Sequence, residues 1–218
     1  MVDKTDNLQE KVQSGEAWAA FCDQLKACGQ QILREEAPAD AFTRAEGFRY
    51  LTRLTRIALD MHMECNDAQF PVFYRPSHET AKIGADNPDN VYERAQVDGK
   101  YDYRISGDRG SVAYLGFVTL AGGYGEDGQN IPTGALDSHG ELAVSEEGKI
   151  DIIMSRRPQP GNWLPMTEAS NTVLVRQTFL DRGAEETAKL TIERIDKAAR
   201  PRPLSAETFA RNLAASAA

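Results

Sequence analysis

Long apolar runs are absent: nothing in these 218 residues approaches the ~20 consecutive apolar side chains that a membrane-crossing helix needs. The opening residues, Met1-Val2-Asp3-Lys4-Thr5-Asp6, are charged and polar and lack the apolar stretch of a secretory signal. The chain therefore reads as cytoplasmic, with no membrane partner. Positive charge is also short. Lys and Arg number 25 against 33 Asp and Glu, and the net charge of −8 repels a nucleic-acid backbone on average. Cysteine is scarce, with Cys22, Cys28 and Cys65 odd in number and in no Cys-x-x-Cys pair, which argues against a disulfide framework or a zinc knuckle. They read as reduced, partly buried thiols, Cys22 and Cys28 lying near the stripe Trp18, Phe21, Leu25 and Ile32. There is no Gly-x-Ser-x-Gly elbow and no His-Glu-x-x-His helix. The glycine-rich run Gly122 to Gly128 lacks the Lys-Ser/Thr of a phosphate loop and carries acids, so it reads as a loop or lid. No metal and no cofactor is expected.

What is present is enough apolar content, 41%, for one core in a chain of this length without covalent staples. Its patterning changes once. From Asp6 to Glu36 the apolar positions Leu8, Val12, Trp18, Phe21, Leu25 and Ile32 follow helical spacing, with Gly15 as an interruption and Pro38 as the stop. Thr43-Arg44-Ala45-Glu46 resembles a capping box opening a second helix, whose buried face would be Phe48, Leu51, Leu54, Ala58 and Met61.

Beyond Asn66 the period shifts towards two and the punctuation becomes Pro, Gly, Asn and Asp. Strands are predicted at Phe70 to Tyr74, Tyr101 to Ser106, Ser111 to Leu120, Glu141 to Ser145, Ile150 to Met154, Thr172 to Leu180 and Lys189 to Ile195. Hairpins are predicted at Gly107-Asp108-Arg109-Gly110, Glu146-Glu147-Gly148 and Asp181-Arg182-Gly183. A final helix begins near an N-cap at Ser205. The predicted class is α+β: a helical segment over residues 1–65 packing on the sheet, an antiparallel β-sandwich or jelly-roll-like core over 66–200, and a C-terminal helix over 201–218, together one compact unit.

The runs Gly161-Asn162-Trp163-Leu164-Pro165 and YDYRISGDRGSVAYLG, from Tyr101 to Gly116, with Val173-Leu174-Val175-Arg176 after them, resemble the family called domain of unknown function 1214. The resemblance covers roughly residues 86–195. It implies a β-sandwich or jelly-roll-type domain, often attached to another domain, and no particular reaction. Longer relatives implied by it continue past residue 218, so a missing C-terminal domain is one expectation and a homo-oligomer another.

The candidate site gathers Tyr103, Arg104, His139, Asn162, Trp163 and Arg176 on one side of the sheets. An inward guanidinium must find an anion, and the planar fork of Arg176 or Arg104 suits a ligand carboxylate or enolate; the plain alternative is a structural ion pair or exposure. His139, in Asp137-Ser138-His139-Gly140, titrates near neutrality and is the candidate general acid or base, or else an exposed loop residue. With Arg176 and Tyr103 it forms the catalytic set, while Arg104, Asn162 and Trp163 form the substrate-binding set. Trp163 and Asn162 can equally plug the end of the sandwich and close a turn. His78 is a second candidate base with no partner at sequence spacing. His62, Glu64 and Cys65 resemble a metal cluster but read better as helix-end packing. Arg49, Arg53 and Arg56 form a solvated stripe offset by Glu46 and Asp60. This inventory favours a small, partly apolar, anionic organic ligand, either bound or turned over by cofactor-independent proton transfer of the isomerase, lyase or hydrolase kind. The competing expectation is a noncatalytic module that docks another domain.

Overall fold

The structure is a computed structural model and describes residues 4–123, 128–196, 200–201 and 203–218, with side chains from residue 7 onward. It is an α+β fold with N-terminal helices, a two-sheet β-sandwich core and a C-terminal helix, as the change of period predicts. The chain divides into two compact units, one drawn from Met1–Glu64, Glu79–Ile83 and Arg202–Ala218, the other from Cys65–His78 and Gly84–Pro201.

The first unit is helical. Gly15, at φ +80°, separates α1 (Lys4–Gln13) from α2 (Glu16–Ile32), so three helices precede the sheets where two were expected. The third, α3 (Ala41–Leu59), starts earlier than the Thr43 capping box predicts. Asp40 is its cap, its carboxylate accepting the Thr43 N–H at 2.9 Å, which satisfies one of the amides that the first turn leaves without a partner. A π-helical turn (Asp60–Glu64) follows α3 and holds His62 and Glu64. Within α3, Ile57 is buried, whereas Phe48 and Leu54, assigned to the core by sequence, are exposed. The last helix, α4 (Ala206–Ala215), is capped by Ser205 as predicted, through Thr208 N–H to Oγ at 3.1 Å. Its Phe209, Leu213 and the following Ala217 close a small core with Phe21, Leu25, Leu59 and Met63. Arg49 pairs with Glu46 at 2.6 Å, as the stripe requires.

The second unit is the sandwich. One sheet has the order β1 (Asn90–Gln96), β7 (Ser170–Thr178), β3 (Tyr114–Gly122), β4 (Asn130–Asp137); the other has β6 (Asn162–Pro165), β5 (Lys149–Ser155), β2 (Tyr103–Asp108), β8 (Lys189–Arg194). Among the described strands only β5 and β6 run parallel. Alternate residues face inward. Tyr103, Ile105, Leu115, Phe117, Ile152, Met154, Val173 and Val175 are fully buried between the sheets.

Five local expectations fail, one of them the predicted Glu146–Gly148 hairpin, which has no strand before it to pair with β5. Phe70 to Tyr74 is not a strand; Pro71 and Pro76 cannot donate to a ladder, and only Tyr74 bridges to Arg94, leaving Phe70 and Val72 exposed. Glu141 to Ser145 is not a strand either, because the Asn162 amide satisfies both backbone groups of Ala143, at 2.7 and 2.8 Å, in place of a ladder partner. The turns at Gly107–Gly110 and Asp181–Gly183 are not hairpins: β2 and β3 lie in different sheets, as do β7 and β8, so each link crosses the sandwich. Of the Gly122–Gly128 loop, residues 124–127 lie outside the described residues.

Candidate functional site

The six residues singled out by sequence do not meet. Strand alternation distributes them over the interior and the two outer faces of the sandwich.

Tyr103 is wholly buried. Its hydroxyl donates to the Ala68 carbonyl at 2.8 Å and accepts the Asp98 N–H at 2.9 Å, and burial holds its ionisation well above the ordinary tyrosine range. It ties two loops to the core. Arg104 stands on the outer face of the second sheet, where its guanidinium grips Asp151 through two 2.6 Å bonds. That fork holds the Asp151 carboxyl below the usual range, even though both side chains are about half exposed. Asn162, on the same sheet, uses its amide on Ala143 and on the Asp151 carbonyl. Trp163 donates its indole N–H to Ser155, at 3.2 Å from both the carbonyl and the hydroxyl. The polar atoms of Asn162 and Trp163 are thus engaged in fixing loops.

His139 and Arg176 both border Tyr114, on the outer face of the first sheet. Register explains how. Tyr92 on β1 is opposite Arg176 on β7, Arg176 is opposite Gly116 on β3, and Gly116 is opposite Asp137 on β4, so one cross-strand row runs through all four strands. Gly116 is the low point of the row. A Cβ there would lie 2.4 Å from the Tyr114 hydroxyl, because the Tyr114 ring lies down over the space that a side chain would fill. Tyr114 thus extends between Arg176 and Asp137; burial first, then the Asp137 charge, raises its ionisation, and the Arg176 charge opposes them. His139 meets the Tyr114 ring edge-on at 5.2 Å, placed by its own N–H donating to the Asp137 carboxylate at 2.9 Å. On the other side the Arg176 guanidinium sits 5.4 Å from the centre of the Tyr92 ring. Tyr92 is itself anchored, its hydroxyl accepting the Asn90 amide at 2.8 Å while Asn90 accepts Thr178 at 2.8 Å.

The result is a shelf with one cation, two flanking phenol rings and an imidazole at its rim. Arg176 is exposed and has no carboxylate within ion-pair distance among the described residues. Its five donors are available to an anion, in contrast to Arg104. Tyr92, Tyr114 and Asp137 were not singled out by sequence. The signal that would have found them is the register, which places residues 92, 176, 116 and 137 in line but depends on strands far apart in the chain.

Elsewhere in the sandwich, a cleft of about 430 Å³ lies between Gln69–Val72 and β8, lined by Phe70, Val72, Ile192 and Arg194. Arg194 is buried there and committed to Asp196 at 2.5 Å, beneath the Tyr101 ring. Among the described residues no three His, Cys, Asp or Glu side chains are placed to hold a metal ion, and no helix is long and apolar enough to cross a membrane. His62, Cys65 and His78 are half-buried.

No family model matches the chain, and no curated protein does. Among solved structures it is similar to an uncharacterised protein from Burkholderia cenocepacia, at 54% identity and a TM-score of 0.91 over 96% of this chain. This chain spans 58% of that protein's length. A protein from Vibrio parahaemolyticus matches at 15% identity and a TM-score of 0.38, over 73% of this chain and 46% of its own.

Proposed function

We propose that the sandwich binds a small, partly apolar organic anion on the shelf of the first sheet. Arg176 takes the anionic group through its guanidinium fork, Tyr92 and Tyr114 flank the apolar body, and His139 lies at the rim. The single observation that carries this reading is the state of Arg176. It is an exposed guanidinium held by an aromatic face and left without a carboxylate among the described residues, in a chain with eight more acidic than basic side chains. His139 supplies the imidazole at the rim of the shelf, so proton transfer of the isomerase, lyase or hydrolase kind would fall to it. The resemblance to domain of unknown function 1214 in the Gly161–Pro165 and Tyr101–Gly116 runs supports the architecture of this proposal and no particular reaction.

Thermal-shift screening against small carboxylates, aromatics and terpenoids tests the proposal. A carboxylate at a hundred times its Kd should stabilise the sandwich by about 2.7 kcal/mol. Arg176→Ala should weaken that ligand by about tenfold or more, the worth of a charged hydrogen-bond pair. No shift with any anion refutes the shelf as a binding site.

A second reading, a docking module, draws on a different observation. The helical unit leaves Trp18 58% and Phe42 76% exposed, and the Burkholderia cenocepacia chain has further length outside the matched part. Light scattering with Trp18→Ser and Phe42→Ser variants tests it; a monomeric parent whose solubility does not change on either substitution counts against a docking face.

A further inference from the structure

We infer that the sandwich carries a second anion site, independent of the Arg176 shelf, where Lys100, Arg156 and Arg157 surround a cleft suited to a doubly charged oxyanion of the phosphate-monoester class. The cleft has a volume of about 420 Å³ and is lined by Lys100, Asp102, Arg156 and Arg157. This lies within the range of small-ligand sites.

Register creates it. Tyr103 is opposite Met154 at the end of the β2–β5 ladder, and continuing the antiparallel pairing brings residues 100–102 alongside 155–157. Three cations therefore gather at the end of one ladder, in a protein whose net charge is −8. Lys100 is held by Asp98 at 2.5 Å, with its ammonium 4.9 Å from the Tyr101 ring centre. Arg156 and Arg157 are exposed, and neither side chain has a hydrogen-bond or carboxylate partner among the described residues.

Both supporting loops are pinned, so the cations are presented by a fixed frame. On one side Asp98 accepts the Lys100 N–H at 3.0 Å, Gly99 N–H reaches the Ser170 carbonyl at 2.9 Å, and the Asp98 N–H bonds Tyr103. On the other, the Ser155 hydroxyl donates to the Arg157 carbonyl at 2.6 Å, while the Trp163 indole and the Met166 N–H both bond the Ser155 carbonyl. Pro158 further restricts Arg157 to extended backbone. Trp163 and Tyr103, which do not reach the Arg176 shelf, act here as positioning residues for the two loops. Two guanidinium groups match the three oxygens of a phosphate through paired donors, and preorganisation lowers the ordering cost of using them. Asp102 faces the same cleft and directs the charged end of a ligand towards the arginines.

Titration calorimetry of the full chain with inorganic phosphate and with glycerol phosphate, at low ionic strength, tests this. The expected result is saturable binding that weakens as salt is added. R156A/R157A should reduce affinity by about tenfold or more, because two charged donors are lost. Asp102→Asn should tighten it by removing a like charge, and Arg176→Ala should leave it within about twofold, since distant sites act independently. Retained near-ultraviolet circular dichroism and melting midpoint in R156A/R157A, whose replaced side chains are exposed, would show that a loss is not unfolding. Absence of saturable binding to the parent, or binding to R156A/R157A within twofold of the parent, overturns the site.

Discussion

Replacing Tyr103 by phenylalanine removes one oxygen atom and almost no volume, so it isolates the polar contribution of a residue that is otherwise pure core. In the intact protein that oxygen satisfies two groups at once, the Ala68 carbonyl at 2.8 Å and the Asp98 amide at 2.9 Å. The side chain has no exposure to solvent, so water cannot easily replace either bond. Each buried hydrogen bond contributes about 1 kcal/mol net, and a group left unpaired costs about 1–3 kcal/mol. Two such groups set the expected destabilisation at about 2–3 kcal/mol, with no cavity to add to it. Trp18 and Trp163 lie in different units, so in a Trp18→Phe background Trp163 reports on the sandwich alone. Urea unfolding followed by its fluorescence should show an unchanged slope and a midpoint lower by roughly 1 M, taking a slope of about 2–3 kcal/mol per molar. The burial that raises the Tyr103 ionisation also makes a signed prediction. A group whose folded pKa is raised contributes stability below its unfolded value, here 10.0, and loses it as pH rises further, so the parent should weaken in alkali more than Tyr103→Phe does. A change below about 0.5 kcal/mol would refute the account, because it would mean that both partners find water or each other when the hydroxyl goes.

Gly99→Ala should be severe for a different reason: its Cβ would lie 2.2 Å from the Thr167 carbonyl oxygen and 2.6 Å from that of Glu168, both backbone atoms that cannot swing away. An overpacking penalty of about 1–3 kcal/mol or more is expected, measured by the same urea transition. Glu93→Gln should stabilise the sandwich at neutral pH. Burial raises the Glu93 carboxyl above its ordinary value of 4.5, against the opposing Gln177 hydrogen bond at 2.9 Å and the Arg75 charge. A raised carboxyl favours the fold below its unfolded pKa and penalises it as pH climbs through the folded one, so the variant's advantage should vanish in acid and grow as pH climbs above the ordinary value of 4.5. Thermal melts from pH 3 to 8 check this; a variant less stable than the parent at pH 7 would reverse the sign.

The two registers explain why the fold was readable further than the site. Alternation placed β2, β3, β5, β7 and β8 within a few residues, because a strand's inward face is written in neighbouring side chains. It could not show that the turn at Gly107–Gly110 crosses between sheets, since hairpin and crossover links use the same turn residues. It also missed β1, β4 and β6, and it took Phe70 to Tyr74 for a strand although proline denied that segment a ladder. Candidate residues chosen for their chemistry suffered more. Tyr103, Asn162 and Trp163 have the right functional groups, yet their polar atoms are committed to the backbone of Ala68, Ala143 and Ser155. Arg104 met Asp151, 47 positions away in the chain, and Arg176 met no carboxylate among the described residues.

By itself, then, the order of side chains determined that helices precede and follow a two-sheet sandwich, roughly where five of its strands lie, and that Ser205 opens the last helix. These depend on local periodicity, burial and capping, each decided within a few positions along the chain. Tertiary structure alone decided which strands are neighbours and therefore which guanidinium is neutralised. It placed His139 against Tyr114 and Arg176 beside Tyr92, and it gathered Lys100, Arg156 and Arg157 at one end of a ladder. The reason is physical: pairing between strands is a contest among many nearly equivalent partners, settled by the packing of the whole interior, and no single segment contains its outcome.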